Sequence, residues 1–239
     1  MPRLSTDLST ENGSPPNRAA LAPSQSSNGA APLRNELLWN SYVAKDFNFA
    51  DFAPETLVLD IGCGLGFQLE ELGQNGCRGI GIDVDPTYLA TCRSRGLRVL
   101  RARAEKIPLK EGSLDGLICK GVIPFTDEPR AFGEIGRVLR AGAVGHFCYL
   151  AAGYYLRYAV LGHSWKYRVY GIRTLVNTWL YVLTGRRLPG FLGDTLYQGR
   201  RRLGMYYRQN RLRFVREGPS KTFLGFPVFI YHVVRKVDR

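Results

Sequence analysis

The feature that most constrains the fold is an alternation of short apolar runs with segments of helical periodicity, which begins at Leu57. The runs have strand length and cover residues 57–61, 78–84, 98–102, 114–119 and 144–150. Helical patterns separate them over residues 67–73, 86–95 and 128–140, and the last ends at the stop signal Ala141-Gly142. Alternating strands and helices of this kind predict a parallel sheet with crossover helices, which is a doubly wound α/β fold.

The stretch Val58 to Gly66, VLDIGCGLG, places Asp60 inside the first apolar run, directly before a glycine-rich turn. Glycines at this end of a strand let a ligand approach the backbone closely. The dinucleotide fingerprint requires a third glycine where Phe67 stands, so that pattern fails. Asp60 would repel a phosphate, whereas it would attract a cationic ligand. Asp83 ends the second run, where an acidic side chain can accept hydrogen bonds from both hydroxyls of a ribose.

Four stretches together resemble the class I S-adenosylmethionine-dependent methyltransferases, especially the group that contains quinone-biosynthesis and other small-molecule enzymes. They are VLDIGCGLG (58–66), GIGIDVDP (79–86), RAEKIPLKEGSLDGLIC (103–119) and EIGRVLRAGA (134–143). The resemblance is continuous from about Val58 to Leu150 and weaker after Leu212. It implies a Rossmann-like, doubly wound sheet of seven mostly parallel strands, with an antiparallel last strand and a helical insertion after strand five. It also implies S-adenosyl-L-methionine as cofactor and methyl transfer as the reaction.

The resemblance assigns roles to residues at the carboxyl edge of the sheet. The cofactor-binding residues that it implies are Asp60, Gly62, Cys63, Gly64, Gly66, Asp83, Val84, Ala104, Glu105 and Lys120. One departure is Arg103, which stands where the family commonly has an Asp whose carboxylate accepts a hydrogen bond from the adenine amino group. Arginine cannot accept that hydrogen bond. The loop 120–129 lacks the paired His often seen there, and it also lacks the Asn/Asp-Pro-Pro-aromatic signature of nucleobase amine methyltransferases.

The C-terminal third differs from the rest in charge and in aromatic content. Residues 151–239 hold 17 Lys and Arg against 3 Asp and Glu, and they hold ten of the thirteen Tyr. Residues 152–193 are interpreted as a basic, aromatic insertion that covers the substrate site. It contains a predicted amphipathic helix with apolar residues Ile172, Leu175, Val176, Trp179, Leu180 and Leu183. This helix is either a lid packed on the core or a segment resting on an anionic membrane.

A second helix is predicted over residues 194–210, with Asp194 as N-cap and the basic run Arg200-Arg201-Arg202. Its basic face is either an ordinary solvated surface or an RNA contact. RNA is the less favoured partner, because no recognised RNA-binding module is appended. Two late runs, 212–216 and 227–235, predict a closing antiparallel pair.

Few side chains are candidates for catalysis. His163, in the insertion, is a candidate general base, and Tyr154 and Tyr155, just beyond strand five, are candidates for lining the substrate pocket. His146 and His232 lie in predicted strands and are interpreted as structural. Methyl transfer by in-line displacement needs mainly alignment and exclusion of water, so a dedicated base is not required.

The remaining sequence bounds the organisation and location of the chain. Residues 1–33 are polar and rich in Ser and Pro and are predicted to be a disordered tail, whereas residues 34–239 form the methyltransferase domain. Five Cys without a C-x-x-C pair suggest neither a metal site nor a disulfide set, but buried thiols in a reducing cytosol. No secretory signal is visible, so the prediction is a cytoplasmic protein, with peripheral membrane contact as an option.

The predicted function is S-adenosylmethionine-dependent O-, N- or C-methylation of a small apolar or anionic molecule. Two alternatives stay open. One is an RNA methyltransferase, and the other is an accessory protein that binds the cofactor without catalysis, which the Arg103 substitution and the absence of an evident base would suit.

Overall fold

The computed structural model describes residues 47–238, in which seven strands form one mixed sheet. The strands are β1 (Leu57–Ile61), β2 (Arg78–Asp83), β3 (Val99–Arg101), β4 (Leu114–Lys120), β5 (Leu139–Leu150), β6 (Leu212–Glu217) and β9 (Phe229–Lys236). Their order is β3-β2-β1-β4-β5-β9-β6, and β9 runs antiparallel to the other six strands of this sheet. A separate hairpin, β7 (Thr222–Phe223) with β8 (Phe226–Pro227), lies between β6 and β9 in the chain. The predicted fold class and the closing antiparallel pair are confirmed.

Six α-helices connect the strands. They are α1 (Phe67–Gln74), α2 (Pro86–Ser94), α3 (Glu128–Val138), α4 (Ala152–Leu161), α5 (Trp165–Thr184) and α6 (Arg200–Gln209). The carboxylates of Asp85 and Asp127 cap α2 and α3, each with a proline in the first turn, and accept hydrogen bonds from the amides of Thr87 (2.8 Å) and Arg130 (3.3 Å). An acidic N-cap followed by proline satisfies free amides at a helix start and fixes where the helix begins.

The sheet is covered on both faces, as a parallel sheet requires. On one face Leu59, Leu117 and Phe147 belong to a buried cluster that includes Phe132 of α3 and Tyr206 of α6. The opposite face has its own buried cluster, with Val58, Ile118, Cys148, Leu72, Leu89, Phe47 and Phe49. All five Cys are buried free thiols.

Buried polar side chains hold the second half of the sheet together. The Tyr149 hydroxyl lies 2.9 Å from that of Tyr207, which in turn lies 2.8 Å from Nδ1 of His232. Nδ1 of His146 lies 2.9 Å from the Phe49 carbonyl oxygen and so ties the segment before β1 to β5. Burial lowers the pKa of both imidazoles, for His232 to about 4, so both rings are neutral at neutral pH.

The predicted end of α3 is wrong, because the helix stops at Val138 and β5 begins directly at Leu139. Leu139 pairs with Leu114, whereas the next pair joins Gly116 to Val144, so residues 140–143 form a bulge in β5. Gly142 lies in this bulge with a φ of 80°, which glycine adopts without strain. Ala141-Gly142 therefore marks a bulge in a strand and not the end of a helix.

The predicted N-cap at Asp194 is also wrong, because α6 begins at Arg200 after Gly199. Asp194 instead forms an ion pair with Arg173 of α5, at 2.8 Å between Oδ1 and Nη2. The segment 195–198 is not helical. The Leu196 amide donates to the Pro124 carbonyl (3.1 Å) and the Gln198 amide donates to the Leu150 carbonyl (2.9 Å), which fixes this segment against the loop after β4 and the end of β5.

Of the predicted apolar residues of α5, Leu175 packs against the second buried cluster, whereas most of the others do not pack on the core. Ile172, Val176, Trp179 and Leu183 are exposed, and Leu175 and Leu180 are half-buried. The buried residues of α5 are Tyr170, Gly171, Thr174, Asn177 and Thr178. Gly171 permits close contact with α4, because a Cβ there would lie 2.5 Å from the Tyr155 carbonyl oxygen. The helix therefore packs partly through its small and polar residues.

Two expectations concern residues outside the described range, namely the tail over residues 1–33 and the start of the domain at residue 34. Within the described part of the chain, no helix combines the length and the apolar character needed to cross a bilayer.

The ion pair between Glu128 and Arg202 generates a test of the fold. Glu128 is fully buried, and its Oε2 lies 2.9 Å from Nε of Arg202, while Oε1 accepts from Gln198 at 2.9 Å. Arg202→Leu should lower the free energy of unfolding by about 3–5 kcal/mol, because it leaves a buried carboxylate without its cation. Urea denaturation measures the loss. The double variant Arg202→Leu/Glu128→Leu should be more stable than the single variant, and a double variant that is less stable would contradict this account.

Candidate functional site

The turn after β1 is built from three glycines in the left-handed region. Gly62, Gly64 and Gly66 have φ angles of 70°, 51° and 81°, which are unfavourable for residues with a Cβ. The amides of Gly62 and Cys63 donate to the Ile82 carbonyl at 2.8 and 3.1 Å, so the turn is attached to the end of β2. The sequence folds this way because only glycine permits three such bends within five residues.

Packing around the turn also requires these glycines. A Cβ on Gly62 would lie 2.3 Å from a methyl carbon of Val122, in the loop after β4. A Cβ on Gly66 would lie 2.5 Å from Leu97 and 3.0 Å from the sulfur of Cys92. The Cys92 thiol in turn donates to the Gly64 carbonyl at 3.3 Å. The turn is thus packed tightly between the loop after β4 and the region around α2.

The carboxylate of Asp83 fixes the turn to β2 from the other side. Asp83 is 6% exposed, and its Oδ2 accepts from the Gly64 amide at 2.9 Å while Oδ1 accepts from the Asp85 amide at 2.9 Å. Each carboxylate oxygen has a second lone pair for a further donor. Asp83 therefore positions the turn and still has acceptor capacity for the hydroxyl groups of a ligand.

Asp60 lies on β1, in register with Gly81 of β2 and Ile118 of β4. Burial raises the pKa of its carboxyl group from 3.8 to about 7, the Lys120 ammonium opposes this rise, and the negative charge of Asp83 adds to it. The side chain is 3% exposed. A buried acid with this pKa is readily ionised when a positive charge comes close, so Asp60 is suited to a cationic ligand.

Lys120 ends β4 and brings a positive charge to the same edge. Its Nζ donates to Oε1 of Gln68 at 3.3 Å and lies 4.5 Å from the centroid of the Phe49 ring. Gln68 is held by Glu71, which accepts from its Nε2 at 2.7 Å. Phe49 and Gln68 were not among the predicted site residues, because Phe49 precedes the recognisable motifs and Gln68 is an ordinary helix residue by sequence.

The remaining predicted cofactor residues follow β2 and β3. Ala104 is buried, whereas Val84 is 37% exposed and offers apolar surface at the carboxyl end of β2. Oε1 of Glu105 accepts from the Asp127 amide at 3.0 Å and from Nη2 of Arg103 at 3.2 Å. Arg103 is thus an ion-pair partner of Glu105, and this Glu105 oxygen holds the start of α3.

The predicted substrate residues lie in different environments. Tyr154, in the first turn of α4, is half-buried, and its hydroxyl lies 3.2 Å from that of Tyr158. Tyr155 is fully buried with its ring against Tyr170. Burial raises the pKa of both Tyr154 and Tyr155, so both phenols are neutral at neutral pH. Because Tyr155 is enclosed by protein, Tyr154 is the better placed of the two to meet an acceptor.

His163 lies at the exposed corner between α4 and α5, with its ring centroid 4.2 Å from that of Tyr167. It follows the last residue of α4 by two positions, whereas Tyr154 is in the first turn of that helix. The length of α4 therefore separates His163 from the carboxyl end of β5. The role of His163 as a general base remains a prediction, because the structure does not bring its side chain close to Asp60 and Asp83.

Comparisons with known proteins agree with this geometry. Residues 59–147 match a protein family described as a methyltransferase domain. The malonyl-[acyl-carrier protein] O-methyltransferase of Serratia marcescens is 32% identical over 116 residues, which cover 47% of this chain and 44% of that protein. An uncharacterized methyltransferase of Mycobacterium tuberculosis is 33% identical over 87 residues, which cover 36% of each protein. The chain thus spans less than half the length of these curated relatives.

A comparison with solved structures extends the likeness to a larger share of the chain. An S-adenosylmethionine-dependent methyltransferase from Mesorhizobium loti superposes with a TM-score of 0.58 and 16% identity, over 77% of this chain and 92% of that one. At this identity the likeness concerns the fold alone.

The buried acid generates a stability prediction. The folded protein keeps a proton on Asp60 up to a pH of about 7, whereas the unfolded chain releases it near pH 3.8. Stability should therefore fall as the pH rises between these values, because the unfolded state binds fewer protons there. Asp60→Asn has no proton to lose and so avoids this loss. The free energy of unfolding of the variant minus that of the native chain should therefore increase by up to about 4 kcal/mol between about pH 4 and pH 7.

Chemical denaturation at a series of pH values measures this difference. Lys120→Met is the matched variant, because loss of the ammonium should raise the pKa of Asp60 and extend the pH range of the effect upwards. A difference between Asp60→Asn and the native chain that does not change with pH would show that Asp60 is ionised throughout.

Proposed function

We propose that the chain, whose residues 59–147 match a methyltransferase domain, is an S-adenosylmethionine-dependent methyltransferase that methylates a small apolar or anionic acceptor. The observation that carries the proposal is the pair of buried acids, Asp60 and Asp83, at the ends of adjacent strands beside a glycine turn. This combination suits a ligand that carries positive charge and hydroxyl groups but no phosphate.

The residues present fit the cofactor that the family implies. Asp60 would face the cationic methionine end, and Gly62, Cys63, Gly64 and Gly66 would supply close backbone contact. Asp83 would accept from the ribose hydroxyls with its remaining lone pairs, and Val84 would pack beside the adenine. Ala104, Glu105 and Lys120 would complete the site. When bound, S-adenosylmethionine would supply its sulfonium methyl group to a nucleophile, and S-adenosylhomocysteine would leave with the electrons of the broken carbon–sulfur bond.

The chain's own contribution is alignment and charge. The Tyr154 phenol, in the first turn of α4, is neutral and can form a hydrogen bond in addition to its contact with the Tyr158 hydroxyl. The glycine turn, held by the Asp83 carboxylate and the Ile82 carbonyl, fixes the geometry before a ligand arrives. Such alignment accounts for much of the rate of a displacement that needs no strong base.

Two observations favour the anionic alternative for the acceptor. Lys120 brings a positive charge to the edge where the acceptor must meet the methyl group, and residues 135–193, which include the whole of α4 and α5, contain no Asp or Glu. An acceptor carboxylate has no proton to lose, which agrees with a site without an evident base. The Serratia marcescens relative is named for O-methylation, which supports an oxygen nucleophile here.

Arg103 favours a second candidate, a cofactor-binding protein without catalysis. At this position the family commonly has a carboxylate that accepts a hydrogen bond from the adenine amino group, whereas this chain has a cation. The Arg103 guanidinium pairs with Glu105. Weak or altered cofactor binding would suit an accessory role better than turnover.

One experiment separates the candidates. The purified chain is incubated with methyl-labelled S-adenosylmethionine and a fractionated cell extract, with Asp60→Ala/Asp83→Ala as the variant that should not bind. We expect label in solvent-extractable small molecules with the native chain alone. Label in RNA would instead establish the RNA methyltransferase, and cofactor binding with no label in any fraction would establish the accessory role.

Binding of the cofactor should depend on pH through Asp60. An acid with a pKa of about 7 is mostly protonated at pH 6, so affinity for a cation that needs the ionised form should rise about tenfold from pH 6 to pH 8. Calorimetry with S-adenosylmethionine at both pH values measures this change. Asp60→Asn should bind more weakly and show little pH dependence. Equal affinities of the native chain at the two pH values would remove Asp60 from the cation site.

A further inference from the structure

Most of the large apolar side chains of α5 face away from the core, while Tyr170 and Leu175 pack against it. The outer face of α5 carries a row of large apolar side chains spaced three or four residues apart, here called the α5 stripe. The stripe consists of Trp165, Val169, Ile172, Val176, Trp179 and Leu183, which are 44–70% exposed. A surface helix normally turns its apolar side chains to the core and its polar ones to water. The stripe therefore indicates a surface that binds an apolar partner.

The inner face of α5 cannot exchange places with the stripe, because hydrogen bonds and close packing hold it against the rest of the protein. Nδ2 of Asn177 donates to the Thr195 carbonyl at 2.8 Å, and Oγ1 of Thr178 accepts from the Tyr197 amide at 3.0 Å. At Gly171 the helix meets α4 so closely that a Cβ would lie 2.6 Å from the Ala159 nitrogen. Rotation of α5 would break these contacts, so the outward direction of the stripe belongs to the fold.

The exposed charged side chains on α5 and just beyond its C-terminal end are all basic. Residues 135–193 contain no acid, while Lys166, Arg168 and Arg186 are exposed on or beside α5. A partner for this surface must therefore combine an apolar interior with negative charge at its boundary. An anionic lipid bilayer has both properties.

A second copy of the chain fits the surface less well. From Trp165 to Leu183 the stripe is about 27 Å long, and at a helix width of about 10 Å it covers roughly 300 Å². Stable protein pairs bury about 800 Å² on each partner. Pairing two copies through α5 would also bring together two surfaces that both carry the basic side chains Lys166, Arg168 and Arg186.

We propose that the α5 stripe docks the protein on an anionic lipid bilayer, with α5 lying along the interface rather than across it. Trp165 and Trp179 are 70% and 61% exposed, and tryptophan is the side chain that most favours the boundary between headgroups and acyl chains. Val160 and Leu161 at the end of α4 are exposed next to the start of the stripe and extend the apolar contact. The inference concerns a surface outside the acidic pair and does not rest on the proposed function.

Vesicle flotation of the full chain tests the proposal without cofactor or turnover. The native chain should float with vesicles of phosphatidylcholine and phosphatidylserine, less with phosphatidylcholine alone, and less at high salt. Trp165→Ser/Trp179→Ser should reduce the bound fraction at least tenfold. Lys166→Glu/Arg186→Glu should lose the preference for phosphatidylserine. In a Trp39→Phe background, the remaining two tryptophans should shift their emission to shorter wavelength when anionic vesicles are added.

The matched control is Leu100→Ser/Phe214→Ser, which removes two exposed apolar side chains from strands at opposite edges of the sheet. It should float like the native chain, and circular dichroism should show all variants folded. Absence of flotation by the native chain, or equal loss in the control and the tryptophan variant, would overturn the proposal. So would sedimentation that shows a dimer dissociated by Trp165→Ser/Trp179→Ser, because the stripe would then be covered by a second copy.

Discussion

The hydrogen bond from the Gly64 amide to the Asp83 carboxylate is the contact on which the candidate site depends. It joins the end of β2 to the turn after β1, and so places a buried acid and a backbone of left-handed glycines at one point of the sheet edge. Parallel strands make this possible, because their carboxyl ends meet at the same edge. Burial and the negative charge of Asp83 both raise the pKa of Asp60 on β1, and the positive charge of Lys120 only partly offsets this rise. The site is thereby electrostatically poised for a cation.

The sheet and the turn could be predicted because their signals are local. Apolar runs, the glycines at 62, 64 and 66 and the acid at 83 lie in short stretches whose conformation follows from their own residues. The β5 boundary could not be predicted in this way, because the bulge at Gly142 exists only when Leu139 pairs with Leu114 and Val144 with Gly116. Asp194 likewise looked like an N-cap, whereas a distant partner, Arg173, decides its role.

The orientation of α5 shows a second limit of reasoning from sequence. Periodicity establishes which side chains share a face of a helix, but not whether that face meets the core. Here close packing and hydrogen bonding, through Gly171, Asn177 and Thr178, contribute to the core-facing side together with apolar contacts. Phe49 and Gln68 were missed for a related reason, since their proximity to Lys120 arises only when the segment before β1 and helix α1 pack at the sheet edge.

α5 also links its outer surface to the region of the acidic pair. Its inner face holds residues 195 and 197, and the same segment donates from Leu196 to the Pro124 carbonyl, in the loop that follows Lys120. That loop contains Val122, whose methyl group occupies the space beside Gly62. A continuous set of packed and hydrogen-bonded contacts therefore runs from the back of the α5 stripe to the glycine turn. Such contacts couple the α5 stripe to the glycine turn only if the loop has two conformations and binding at either surface shifts the equilibrium between them. Because the stripe's side chains take no part in these inner contacts, the surface and the site can be altered separately.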